Sequence, residues 1–189
     1  MKKIFLLITL LAFTSGLSLM AQTKINFHSQ NYVGLLEGEA GSSFQIQTIN
    51  GVQWTSWFAG LGTGLDYYHF RTIPLFLSLN KNFKAAGNSF YILSDAGVNF
   101  AWVDRERSRF NDFISDKFTP ALYWNEGMGY KAKIGTKDNA VLISLAYSYK
   151  HIKETTQVPV FCIAPPCLPV MEEYNYRLKR ISIRVGWQF

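Results

Sequence analysis

The chain is short of charge, of histidine and of cysteine, and each shortage removes a class of function. Asp, Glu, Lys and Arg make up 17% of its 189 residues, against about 25% in ordinary soluble domains. His28, His69 and His151 stand far apart. Neither His69 nor His151 has a Ser two residues away, the spacing that would set a nucleophile and its base on one strand face. Cys162 and Cys167 are the only two cysteines and have no His nearby, so a zinc site is not expected. Four residues separate them, which is not the two-residue spacing of redox motifs. Phosphate-cradling loops, dinucleotide fingerprints, internal repeats and low-complexity tracts are all missing. No cofactor and no metal are expected.

Long apolar runs are also absent beyond the N-terminus. Ala40 to Leu65 carries no charge for 26 residues, but Gln45, Gln47, Asn50, Gln53 and five glycines interrupt it. A helix in lipid has no face on which to hide that polarity, whereas a strand of a closed barrel does. The one continuous apolar stretch is Ile4 to Phe13, behind Lys2 and Lys3 and ahead of Leu19-Met20-Ala21. It is too short to span a bilayer and reads as a secretory signal over residues 1–21. No Cys follows the expected cut, which argues against a lipid anchor. The remaining residues, 22–189, number 168 (189 − 21), and their charge falls from +6 to +4 with the loss of two Lys. That length suits one domain. The positive charge is spread along the chain, so nucleic acid is not an expected partner, while anionic headgroups are.

What is present is alternation. Ile181, Ile183, Val185, Trp187 and Phe189 share one face of the last segment, and Arg180, Ser182, Arg184, Gly186 and Gln188 share the other. The same period of two marks Trp57 to Tyr67, Ile73 to Asn80, Phe90 to Trp102 and Val141 to Tyr149. It is less clean in Phe44 to Trp54 and Leu122 to Ile134, where Asn50 and Glu126 fall on the apolar face and suggest a bulge or a rim position. Tyr32 to Ala40 is the eighth candidate, with Glu37 placed inward. Eight strands of about ten residues match an antiparallel, up-and-down transmembrane β-barrel, an all-β fold. The expected connections on the inner side are Thr55-Ser56, Lys81 to Ser89 and Gly135 to Asn139. The two longest, Asp104 to Lys117 and Ile152 to Glu173, fall outside. Aromatic residues gather at both strand ends, as in interfacial girdles.

Three stretches carry a resemblance: Tyr32-Val33-Gly34-Leu35-Leu36-Glu37-Gly38, Gly60-Leu61-Gly62-Thr63-Gly64-Leu65-Asp66-Tyr67-Tyr68, and Ser94-Asp95-Ala96-Gly97. They resemble the small outer-membrane β-barrel domain family of Gram-negative bacteria. The resemblance implies an outer-membrane location. It also implies that the terminal residues Ile181, Ile183, Val185, Trp187 and Phe189 act as a sorting signal for the barrel assembly machinery. It carries little chemistry.

The polar face supplies the candidate site. Glu37, Asp66 and Asp95, with Lys131, Arg180 and Arg184, are expected to point into a lumen too narrow for much water. Charges there must pair, and Arg can hold a carboxylate at two points. A closed salt-bridge network is therefore expected, with a narrow gated pore as the functional alternative. Cys162 and Cys167 are expected to form a disulfide in the last outer loop, stiffened by Pro159, Pro165, Pro166 and Pro169. Within the 152–173 loop, Val158 to Met171 are uncharged and largely apolar, a knob suited to an extracellular protein partner. Asp104 to Arg109 offers arginines for lipopolysaccharide phosphates. The reading is a monomeric, non-enzymatic barrel in contact with outer-membrane lipid and lipopolysaccharide. Its alternatives are an enzyme acting on those lipids, and a secreted lipocalin-like barrel with its apolar face around a ligand.

Overall fold

The computed structural model describes residues 25–102, 117–135, 139–158 and 170–189. The expected signal segment, the Asp104 to Arg109 run and both cysteines lie outside the described residues. Those described form nine strands: β1 (Ile25–Gly38), β2 (Gly41–Trp54), β3 (Trp57–Asp66), β4 (Thr72–Ala85), β5 (Asn88–Ala101), β6 (Lys117–Thr119), β7 (Ala121–Lys133), β8 (Ala140–Val158) and β9 (Val170–Gln188). Eight of them pair antiparallel in the ring β1-β2-β3-β4-β5-β7-β8-β9, which closes between β9 and β1. The three-residue β6 lies outside the ring and pairs with the outer part of β8. It continues the line of β7 past Pro120, whose missing N–H interrupts the ladder.

The register fixes the barrel's size. A row of directly opposed residues runs Phe27, Val52, Ala59, Leu79, Ser94, Glu126, Tyr147, Ile181 and back to β1 at Glu37. It returns ten residues from where it began (37 − 27). For eight strands that stagger tilts each strand by roughly 40°. The ladder is regular at Asn50 and Glu126. The bulge or rim position expected there is absent, and both residues sit on the outer face within their strands.

Side chains sort by parity. Leu61, Leu77, Ile183 and Val185 are 56%, 69%, 51% and 49% exposed on the outside, while Phe76, Ser78 and Arg184 are buried inside. A lipocalin-like barrel would need the first four around its cavity, so that alternative fails. The glycines of the inner face make room for aromatic rings. Gly62 lies opposite Phe76, Gly129 opposite Tyr91 and Gly186 opposite Tyr32, and a Cβ at any of them would strike the facing ring.

Several boundaries differ from the alternation. β1 starts at Ile25, so His28 lies within a strand and is buried in the barrel's inner end. The segment Lys81 to Ser89 is a hairpin with only Ala86-Gly87 at its tip, both at positive φ (49° and 79°), the conformation that two-residue β-turns favour. β8 and β9 continue outward to Val158 and from Val170, so much of the loop expected at 152–173 is paired strand.

Candidate functional site

Three tiers of polar side chains project into the lumen. In the outer tier, Asp66 ends β3 and pairs with Arg180 of β9. Lys150 of β8 adds its ammonium 3.2 Å from the same carboxylate. That ammonium also donates to the carbonyls of Tyr68 (2.8 Å) and Phe70 (3.2 Å) and to the Thr72 hydroxyl (3.1 Å). Arg180 donates to Ser148 at 2.7 Å and lies over the Tyr68 ring. Tyr68 is 1% exposed because the turn after β3 folds into the mouth. Its hydroxyl accepts from the Ala40 N–H at 2.8 Å, and its N–H donates to Asp66. This turn is an inward stopper held at both ends.

In the central tier, Arg184 lies 3.3 Å from Asp95. It also donates to Gln47 (2.7 Å) and Ser144 (3.2 Å) and stacks over the Tyr32 ring. Asn125 donates to Asp95 at 2.8 Å, and Gln47 donates to the Tyr123 hydroxyl at 3.0 Å. In the inner tier, Gln188 accepts from Lys131 (2.9 Å) and from Gln30 (3.1 Å), while Gln30 accepts from Tyr32 and Asn80. Charges buried in this way hold their place only when paired and hydrogen-bonded.

Of the six sequence-selected lumen residues, Asp66, Asp95, Arg180 and Arg184 form two ion-paired groups, and Lys131 belongs to the inner amide tier. Glu37 is a correction. It points outward, is exposed and accepts from Ser42 in the outer hairpin. Tyr32 takes the inward position because Gly186 opposite leaves room for its ring, and period two then sends Leu36 in and Glu37 out. Lys150 was missed. It shares parity with Ser144 and Ser148 on β8, and that was its signal.

Outside the ring, β8 and β9 form a protruding hairpin. Lys153 and Glu173 pair across it at 2.8 Å. Hydrogen bonds from Lys153 and Asn175 hold the Glu173 carboxyl below its usual range. Phe70, Phe118, His69 and Tyr176 cluster where the hairpin meets the barrel mouth. His151 contacts Asn175 at 3.3 Å. Among the described residues no three side chains able to ligate a metal gather. On β9, Ile181, Ile183, Val185 and Trp187 face outward, and Phe189 is exposed at the inner end, tied to Ser29 by two backbone bonds of 2.9 and 3.0 Å.

No family model and no curated protein matches the sequence. Two solved structures are similar in overall shape. One is outer membrane protein AlkL, determined by solid-state NMR in DMPC lipid bilayers. It has a TM-score of 0.46 and 10% identity, over 88% of this chain and 87% of that one. The other is the crystal structure of outer membrane protein OprG from Pseudomonas aeruginosa. Its TM-score is 0.42 at 10% identity, over 87% of this chain and 95% of that one. In fold, the chain is a closed eight-stranded antiparallel barrel.

Proposed function

We propose that the chain serves as an integral outer-membrane barrel with a sealed lumen and a non-enzymatic, structural or surface-contact role. One observation carries this reading: apolar side chains cover the outside of every barrel strand while the ion pairs face in. Water would penalise such a surface, and acyl chains would not. The aromatic residues Trp57, Trp187 and Phe189 at the inner rim, with Phe44, Tyr67 and Trp102 at the outer, are exposed where headgroups begin.

The surface-contact role rests on the β8–β9 hairpin. Its paired strands run outward past Lys150 as far as Val158 and Val170, beyond the outer aromatic rim, where a protein partner can reach them. Lipid and lipopolysaccharide surround the belt, and the exposed terminal strand suits recognition by the assembly machinery. The experiment is outer-membrane fractionation and heat-modifiable gel migration of the full chain, beside a variant lacking residues 158–171. The expected result is that both fractionate with the outer membrane and that only the intact chain confers surface binding. A chain recovered in the soluble fraction would overturn the location, and unchanged binding by the deletion variant would overturn the contact role.

A further inference from the structure

Two interruptions break the apolar belt. The first is Glu126 of β7 beside Ser94 of β5, both pointing outward. On the same face of β7, Leu122 and Trp124 stand toward the outer end and Met128 and Tyr130 toward the inner end. Among the described residues, no hydrogen bond or ion pair reaches the Glu126 carboxylate. The second is the straight cross-strand row Asn31, Thr48 and Thr63 on β1, β2 and β3, with Asn50 one outward position further in on β2. These residues are smaller than their neighbours, and the row lies in a groove of ≈ 430 Å³ walled by Val33, Ile46, Leu65 and Trp187.

The two interruptions lie on opposite sides, since β2 is four strands from β7 in the ring of eight. They also lie at one depth. With strands tilted roughly 40°, a cross-strand row climbs about 3 Å per strand, and a strand climbs about 2.4 Å per residue. Counted from Phe27, Ser94, Glu126, Thr48 and Thr63 then all fall about 12–16 Å up the barrel. That is near the middle of the belt, where an ionisable side chain is costly and marks a partner.

We infer that copies of this chain associate head to tail within the membrane, Glu126 of one against the Asn31–Thr48–Thr63 row of the next. Copies in one bilayer share an orientation, so only groups at similar depth can meet; Glu126, Thr48 and Thr63 do, and Asn31 lies about 5 Å nearer the inner end. One side supplies a charged acceptor, and the other supplies hydroxyl and amide donors beside a groove that receives the flanking apolar side chains. A two-fold contact through β5 and β7 would instead set two Glu126 carboxylates together in hydrocarbon. A contact between different patches continues from copy to copy and builds a ring or a row. This replaces the monomer expected from sequence and rests on the membrane placement proposed above.

The test uses the full mature chain with Cys162 and Cys167 changed to Ser, in phospholipid vesicles. One population carries Met128→Cys and the other Leu61→Cys, outward positions just inside Glu126 and Thr63 that leave the polar groups intact. The mixture is expected to give a disulfide-linked pair. Adding Glu126→Leu to the first population removes a charge-assisted contact and should lower the yield about tenfold, while heat-modifiable migration shows that the barrel still folds. A pair formed by Met128→Cys alone, no pair in the mixture, or a yield indifferent to Glu126→Leu would each overturn the contact. Flotation with the vesicles reports insertion separately. A barrel that floats without pairing refutes only the association, and one that does not float refutes the placement and the contact together.

Discussion

Asp95 and Arg184 meet across the lumen from β5 and β9, and each is almost wholly buried. Removing one member of such a pair leaves a charge with no solvent to receive it. Asp95→Ala should therefore cost about 3–5 kcal/mol, read as a lowered urea midpoint for unfolding from vesicles. Glu37→Gln should stay within about 0.5 kcal/mol, because that carboxylate is exposed at a hairpin end. The contrast also shows what alternation can resolve. Asp66, Asp95, Arg180 and Arg184 sit in strands whose two faces differ sharply, so parity alone puts them inside. Around Glu37 both parities are apolar, with Tyr32 and Leu36 on one and Val33 and Leu35 on the other. The decision falls to the space that Gly186 leaves for the Tyr32 ring, and that contact is 154 residues away in sequence (186 − 32).

At the scale of elements, the extended β8–β9 hairpin was the least legible part of the fold. Beyond Lys150 the strands leave the belt, and neither face is required to be apolar. Tyr174, Tyr176 and Leu178 alternate with Asn175, Arg177 and Lys179, but on the parity opposite to Ile181, Ile183 and Val185, so the pattern breaks at Lys179-Arg180 although the ladder continues through it. The short hairpin between β4 and β5 was hidden for a related reason. Lys81 to Ser89 is polar enough to resemble a loop, although Phe83 and Phe90 stack across it at 5.9 Å. The outer hairpin is pinned by Lys153 and Glu173, and the sign of its pH dependence follows. The Glu173 pKa is lowered in the folded chain by the Lys153 hydrogen bond. Its stabilising contribution is present above the ordinary carboxylate pKa of about 4.3 and is lost as pH falls through the folded value. The protection of the Lys153 and Glu173 amides, taken as exchange relative to the intrinsic rate at each pH, should fall on acidification below about pH 4.3. The Glu173→Gln variant should exchange faster at neutral pH and lose the additional acid-dependent step.

For the whole molecule, eight strands with a stagger of ten residues leave a lumen that side chains can fill. Here the Tyr68 stopper, the Arg184 tier and the Gln188 tier stand one above another along it. Purified protein in a planar bilayer should give no single-channel current at neutral pH. A reproducible conductance step would show that the tiers do not seal. The barrel class, its strand count and its inside-out polarity were legible because a closed barrel with two unlike faces imposes the same alternation on every strand at once. The Tyr68 stopper was not, because an inward-folding turn carries no periodic signal.

The ring closes by joining β1 to β9, the first strand to the last. Without residues 180–188, both β1 and β8 would keep a bare ladder edge. Ring closure must therefore wait for residues 180–188, and this segment acts as the latch that turns an open sheet into a barrel.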